Sequence, residues 1–318
     1  MVPAHGLTET DLQPELKILT TPGWDDYALL DTGNGRKLER FGRLKLVRPE
    51  PQALWRPALP EEIWNKADAF FDAKPNEGRS GEDDDTWGRW RYPRPLPPEW
   101  RVTFERTTML CRFSAFRHVG LFPEQAPHWI WMRDRAKSLG VERPKLLNLF
   151  AYTGAASLVA AAAGFEVTHV DASKKAIAWS KENQAASGLG EAPIRWICDD
   201  ATKFVAREVR RANRYHAILL DPPKFGRGPA NETWRIEEGL SPMLADCARL
   251  LADGPSFLML TAYAIRLSAL SLLETARDAM APSGGRFEAG ELAVAQEGGA
   301  RHLSTSLYVR WTSDGLPA

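Results

Sequence analysis

Cysteine is scarce in this chain: three residues among 318, at Cys111, Cys198 and Cys247. They are odd in number, far apart and without metal-ligand spacing, which excludes a disulfide framework and a thiolate metal site and fits a reducing compartment. All three are expected to be small, buried and apolar. Histidine is also sparse, and His118, His169 and His216 have no metal-like spacing, so they read as core or surface side chains. No apolar run approaches the ~20 residues of a membrane helix. The opening MVPAHGLTETDLQPE lacks the basic start and apolar core of a secretion signal, so no membrane partner and a cytoplasmic location are expected. Net charge is absent too: 41 Lys and Arg balance 41 Asp and Glu. Any RNA would have to be met by local patches rather than by a global basic field. Two candidates are Arg36 to Arg48 and Lys203 to Arg214, with solvated faces balanced by Glu82 to Asp85 as the alternative.

What is present is a chain that is 44% hydrophobic and long enough for one large core and a smaller second one. Lys145 to Gly154 (KLLNLFAYTG), running into AASLVAAAAG, reads as a buried parallel strand, a tight turn and a closely packed helix. In open α/β sheets ligands sit at such strand ends, facing backbone N–H groups and a helix N-terminus. The Gly-x-Gly-x-x-Gly fingerprint of dinucleotide sites is missing, and Gly154 stands alone. Three acidic strand ends follow in order. Glu166 to Ala172 ends on Asp171, placed to accept from two ribose hydroxyls; Ile194 to Asp199 is followed by Asp200; His216 to Leu220 runs into Asp221-Pro222-Pro223-Lys224-Phe225. Each aspartate has the alternative of capping a helix, as Asp200 would before ATKFVAREV.

Before this region the pattern is different. The first twenty residues read as featureless, Tyr27 to Val47 as hairpin material around Asn34-Gly35, and Leu59 to Phe71 as a short amphipathic helix. Glu77 to Pro98 reads as an irregular loop whose tryptophans, Trp87 and Trp90, with Trp100 beyond, anchor it on a sheet or stack on bases. Arg101 to Phe116 returns to strand patterning, and a helix beginning at Pro123 and ending near Gly140 links it to the alternating region. After the Asp-Pro-Pro loop a helix over Glu232 to Ala252 is expected to break near Pro242. The tail ends on two strands with no helix between them, Gly290 to Gln296 and Ser304 to Trp311. The expected fold is therefore α/β: a Rossmann-like, seven-stranded, mostly parallel sheet with a C-terminal antiparallel hairpin, plus a smaller β-rich N-terminal domain. The boundary falls at Phe116, giving 1–116 as a recognition or lid domain and 117–318 as the catalytic one.

Asn148 to Gly154, Val170 to Ser173, Asp199-Asp200 and Asp221 to Phe225 together resemble the S-adenosylmethionine-dependent methyltransferase family that includes the bacterial 23S ribosomal RNA enzymes. Gly120 to Gln125 resembles the element that precedes the domain in that family, and the part before Phe116 does not look like the RNA-binding PUA module many members carry. The resemblance implies S-adenosylmethionine as cofactor, held by Gln125, Phe150, Tyr152, Thr153, Gly154, Asp171, Ala172, Asp200, Ala201 and Asp221. It implies Asp221, Pro222, Pro223, Lys224 and Phe225 at the methyl acceptor. By its chemistry Phe225 is a candidate stacking surface for a flipped base and Lys224 a candidate partner of a phosphate or the cofactor carboxylate; the alternative is that Phe225 packs under the loop and Lys224 is solvated.

Cytosine C5 methylation needs a cysteine nucleophile, in those members near the end of the fourth or fifth strand. Neither the fourth strand, which runs into Asp221 to Phe225, nor the fifth, Ser256 to Tyr263, carries one at its end here. A base nitrogen of ribosomal RNA is therefore the expected acceptor, and ribosomal RNA the expected partner. A protein or small-molecule acceptor is the alternative, and a nicotinamide-dependent oxidoreductase the more distant one.

Overall fold

The structure, a computed structural model, describes residues 15–21, 23–73, 88–263, 265, 267–299 and 301–316. Trp87 and the acidic run Glu82 to Asp85 lie outside them. The N-terminal part is built from strands β1 (Leu16–Thr21), β2 (Tyr27–Gly33), β3 (Arg36–Phe41), β4 (Leu44–Pro49), β5 (Ala69–Ala73), β6 (Gly88–Arg91), β7 (Glu99–Phe104) and β8 (Thr107–Arg112). Strands β2 to β6 form one five-stranded sheet, and β7 and β8 a separate hairpin. Asn34 and Gly35, both at positive φ (52° and 71°), make the β2–β3 turn that Asn-Gly signals. The helix expected over Leu59 to Phe71 shrinks to α1 (Glu61–Trp64), because Ala69 to Ala73 pairs with β4 and β6 instead. Trp90 and Trp100 are buried and do serve as anchors.

The second part alternates strand and helix. In order come α2 (Ala126–Arg135), β9 (Lys145–Leu149), α3 (Ala155–Ala162), β10 (Glu166–Asp171), α4 (Lys174–Ala186), β11 (Ile194–Cys198), α5 (Ala201–Arg210) and β12 (Ala217–Leu220). Then follow β13 (Phe225–Arg227), β14 (Thr233–Arg235), α6 (Ile236–Leu250), β15 (Phe257–Tyr263), α7 (Ala269–Met280), β16 (Arg286–Ala295) and β17 (His302–Thr312). The main sheet has the order β1-β16-β17-β15-β12-β9-β10-β11. Strands β11, β10, β9, β12 and β15 are mutually parallel, and β17 is antiparallel to both its neighbours. The strand order reverses between β9 and β12, which opens the crevice where α/β sheets bind ligands.

The seven expected strands are all there, and an eighth joins them. Leu16 to Thr21, in the stretch that reads as featureless, pairs in parallel with Ala289 to Val294. Gly290 makes this approach: a Cβ there would lie 1.8 Å from the Lys17 carbonyl oxygen. Gly290→Ala is expected to prise β1 off the sheet, at a cost of about 2 kcal/mol or more. It would show as faster tryptic cleavage after Lys17 and a lower melting temperature; unchanged cleavage would contradict this. One buried apolar cluster also crosses the expected boundary, running from Tyr27, Phe41 and Trp100 through Trp129 and Leu158 to Phe257.

Helix α6 is continuous through Pro242. Both Pro242 and Glu238, whose carbonyl loses its helical partner, are exposed, so that group is open to solvent. Helix α6 starts later than expected because residues 225–235 form the β13–β14 ribbon. Cys198, expected to be buried, is exposed on the edge strand β11; Cys111 and Cys247 are buried.

Candidate active site

A cavity of about 450 Å3 opens at the carboxyl ends of β9, β10, β12 and β15, a volume in the range of small-ligand sites. The turn after β9 forms one wall. Phe150, Tyr152 and Gly154 all have positive φ, at 55°, 49° and 88°. For two aromatic side chains that conformation costs on the order of 1–3 kcal/mol each and persists only where the surroundings enforce it. Here they do. Ala151 N donates to the Val170 carbonyl (3.1 Å) and Tyr152 N to Asp171 Oδ2 (2.8 Å). Thr153 Oγ1 donates to the Gly120 carbonyl (2.6 Å), and Asn183 Nδ2 to the Thr153 carbonyl (2.9 Å). No side chain caps α3, and Ala155 and Ala156 at its start line the cavity, so an anionic group there meets a helix N-terminus.

Beneath the turn, Asn148 Nδ2 donates to Ser157 Oγ (2.9 Å), which in turn meets His169 Nδ1 (3.0 Å). All three are buried, and burial pushes the His169 imidazole down to about 3, so it is neutral. Ser157→Ala orphans both partners and is expected to cost about 2–4 kcal/mol. The measurement is urea unfolding, and an unshifted midpoint would contradict the role of this network.

Asp171, at the tip of β10, accepts from Tyr152 N and from Ser173 N (2.8 Å). Burial raises its pKa, and these two N–H groups oppose the rise. Each oxygen keeps a lone pair for a ligand hydroxyl. Asp200 both lines the cavity and caps α5, its Oδ1 accepting from Lys203 N (2.9 Å). Ala172 and Ala201 complete an apolar slot beside them.

The opposite wall is the Asp221 loop. Gln125 Nε2 donates to Asp221 Oδ2 (3.1 Å), and Thr261 Oγ1 to Gln125 Oε1 (3.4 Å). Burial first, and then the nearby Glu124 carboxylate, push the Asp221 pKa up to about 7. Trp234 Nε1 donates to the Pro223 carbonyl (2.7 Å), and its ring packs 4.9 Å from that of Phe150, so one tryptophan braces both loops. Gly239 makes room for that ring, since a Cβ there would lie 2.6 Å from it.

All ten residues expected to hold the cofactor line this cavity, as do Asp221, Pro222 and Pro223. Lys224 and Phe225 do not. Ribbon pairing turns them away: the Lys224 carbonyl accepts from Ile236 N, and the Phe225 ring lies between the Arg227 and Arg235 guanidiniums, at 5.9 and 5.5 Å. Sequence reasoning missed Trp234, Glu124, Phe122 and Thr261, which line the cavity, and none of the three cysteines does. Tyr263, at the end of β15, also lines it, with the Arg117 guanidinium 5.5 Å from its ring. Among the described residues part of each basic patch is paired with an acid, while Glu82 to Asp85 lie outside them. Arg48 pairs with Glu39 (2.7 Å), Lys37 with Glu50 (3.1 Å), Arg36 with Glu61 (2.9 Å) and Lys203 with Glu232 (2.5 Å).

The donor set suits a cationic nucleoside. Asp171 offers lone pairs for two hydroxyls, the start of α3 suits a carboxylate, and Glu124 and Asp221, whose pKa values burial raises, would be held ionised by a cationic ligand.

A family model described as Conserved hypothetical protein 95 matches residues 129–236. Among solved structures, the SAM-dependent methyltransferase from Agrobacterium tumefaciens is similar to this chain at 48% identity and a TM-score of 0.85. It covers 94% of this chain and 96% of its own. Ribosomal RNA large subunit methyltransferase K/L from Shewanella frigidimarina is 33% identical over 141 residues, 44% of this chain and 19% of that protein. The Hahella chejuensis protein of the same name is 33% identical over 150 residues, 45% of this chain and 20% of its own. The chain spans about a fifth of the length of these curated relatives.

Proposed function

The chain belongs to the S-adenosylmethionine-dependent methyltransferases, and from that premise we propose that it methylates a base nitrogen of RNA, with ribosomal RNA as the substrate. The observation that carries the nitrogen assignment is Asp221, a carboxylate with pKa about 7 at the cavity wall, followed by two prolines. The cofactor supplies an electrophilic methyl on a sulfonium. Everything else is positioning. Pro222 and Pro223 stiffen the loop, and Trp234 fixes the Pro223 carbonyl. Gln125 holds one Asp221 oxygen, leaving the other to accept an N–H from the acceptor and aim the nitrogen lone pair. That carboxylate can hold the proton which the nitrogen releases, because its pKa is matched to neutral pH. The cavity has no cysteine to add to cytosine C6, which disfavours a carbon acceptor.

The ribosomal part of the reading is supported by the names of the Shewanella and Hahella relatives. We further propose that residues 1–116 serve acceptor recognition and residues 117–318 the transfer itself. The test is transfer of labelled methyl from S-adenosylmethionine to RNA, protein and metabolite fractions from a strain lacking the gene. Label in RNA supports the reading; label confined to protein or metabolites overturns the RNA substrate and leaves the methyltransferase assignment standing.

A further inference from the structure

We propose that Phe122, rather than Phe225, is the stacking surface on which the acceptor base docks for transfer, whatever part residues 1–116 take in recognising the surrounding RNA; this rests on the RNA reading above. Among the described residues three exposed large apolar side chains are aromatic, Tyr92, Phe116 and Phe122, and Phe122 lines the active-site cavity while remaining 36% exposed. Its ring belongs to a cluster that runs inward. It lies 5.6 Å from the His118 ring and 5.6 Å from that of Tyr152, and Tyr152 Oη bonds His118 Nδ1 at 3.0 Å. Burial, with Arg48 and Arg117 nearby, pushes the His118 imidazole down to about 4, so this wall stays uncharged at neutral pH.

The segment is held rigid. At one end Thr153 Oγ1 grips the Gly120 carbonyl (2.6 Å); at the other Thr21 Oγ1 donates to the Pro123 carbonyl (3.2 Å) and Gln125 N to the Phe122 carbonyl (3.1 Å). Gly120 has φ 99°, and a Cβ on it would lie 2.3 Å from the Trp179 ring, so the backbone has no slack there. Two residues on from Phe122, Glu124 lines the same cavity; burial raises its pKa, and Lys37, its own backbone N–H and Arg48 oppose the rise. An apolar ring, the Glu124 carboxyl and the Asp221–Gln125 pair around one cavity match a flat, N–H-bearing ring better than a flexible chain. Stacking on an exposed aromatic is how an unpaired base is held with little regard to its identity.

The experiment measures KM and kcat for RNA from the strain lacking the gene, and S-adenosylmethionine affinity by calorimetry, for wild type, Phe122→Ala, Phe122→Leu and Phe122→Trp. The expected result is a KM for RNA raised about tenfold in Phe122→Ala, most of that loss persisting in Phe122→Leu, and recovery in Phe122→Trp, with cofactor affinity within twofold throughout. A KM unchanged in Phe122→Ala, full function in Phe122→Leu, or a parallel loss of cofactor affinity would each overturn the proposal. No label in RNA with wild-type protein would overturn the RNA reading and this proposal together, whereas label in RNA with an indifferent Phe122→Ala would overturn this proposal alone.

Discussion

Asp221→Asn is expected to lower kcat by about two to three orders of magnitude while making the ligand-free protein more stable above pH 7. The rate effect follows from the loss of a charged acceptor that aims the nucleophile and takes its proton, a contribution typically of 10²–10⁴. The stability effect follows from burial. Asp221 titrates at about 7 instead of 3.8, so the folded state binds its proton more tightly than the unfolded chain does. The proton-linked stability is therefore complete below about pH 4 and lost as pH rises through about 7. At one pKa unit per ~1.4 kcal/mol the loss approaches about 4 kcal/mol. Asn keeps an oxygen for Gln125 Nε2 and has no charge to bury. The wild-type kcat is accordingly expected to rise with pH to a plateau above pH 7, and the variant to lack that limb. Melting curves from pH 4 to 8 should converge at the acid end and separate at the other. A variant that is less stable than wild type at pH 8, or as active, would contradict the role given to this carboxylate.

Asp171→Ala is expected to weaken S-adenosylmethionine binding by about 100-fold or more. Two charge-assisted hydrogen bonds to ligand hydroxyls at about 1.5–3 kcal/mol each account for that loss. The same carboxylate accepts Tyr152 N and Ser173 N, so its removal also frees a turn in which Phe150 and Tyr152 sit at positive φ. Calorimetry gives the affinity directly. The shift in melting temperature on adding cofactor gives an independent reading, because a ligand stabilises by RT ln(1 + [L]/Kd). Unaltered affinity in a folded Asp171→Ala protein would place the ribose elsewhere.

The catalytic sheet was legible because its inner strands β9, β12 and β15 are buried on both faces and so read as apolar runs, and because a carboxylate follows at or just past the ends of β10, β11 and β12. Asp171, Asp200 and Asp221 were found this way, and all three line one cavity. Strand β1 was not legible: LKILTT follows a polar stretch, and its place depends on Gly290, about 270 residues away, leaving space for it. Phe225 misled because its position beside Asp-Pro-Pro is informative only if the loop stays open, and pairing of Phe225–Arg227 with Thr233–Arg235 turns it aside. Trp234 carries no local signal, since its role exists only when two distant loops meet. In the Arg36 to Arg48 patch the sequence does not show which charges meet acids: Arg48 and Lys37 turn inward onto Glu39 and Glu50, while Arg43 and Lys45 stay exposed.

The central claim is that this cavity methylates a nitrogen of an RNA base. It is tested most directly by nucleoside mass spectrometry of ribosomal RNA from a strain lacking the gene, after incubation with the protein and labelled S-adenosylmethionine. The expected result is one labelled nucleoside with the methyl on a base nitrogen, absent when Asp221→Asn replaces wild type. Label at cytosine C5 or on ribose, or no labelled nucleoside from active protein, would contradict it.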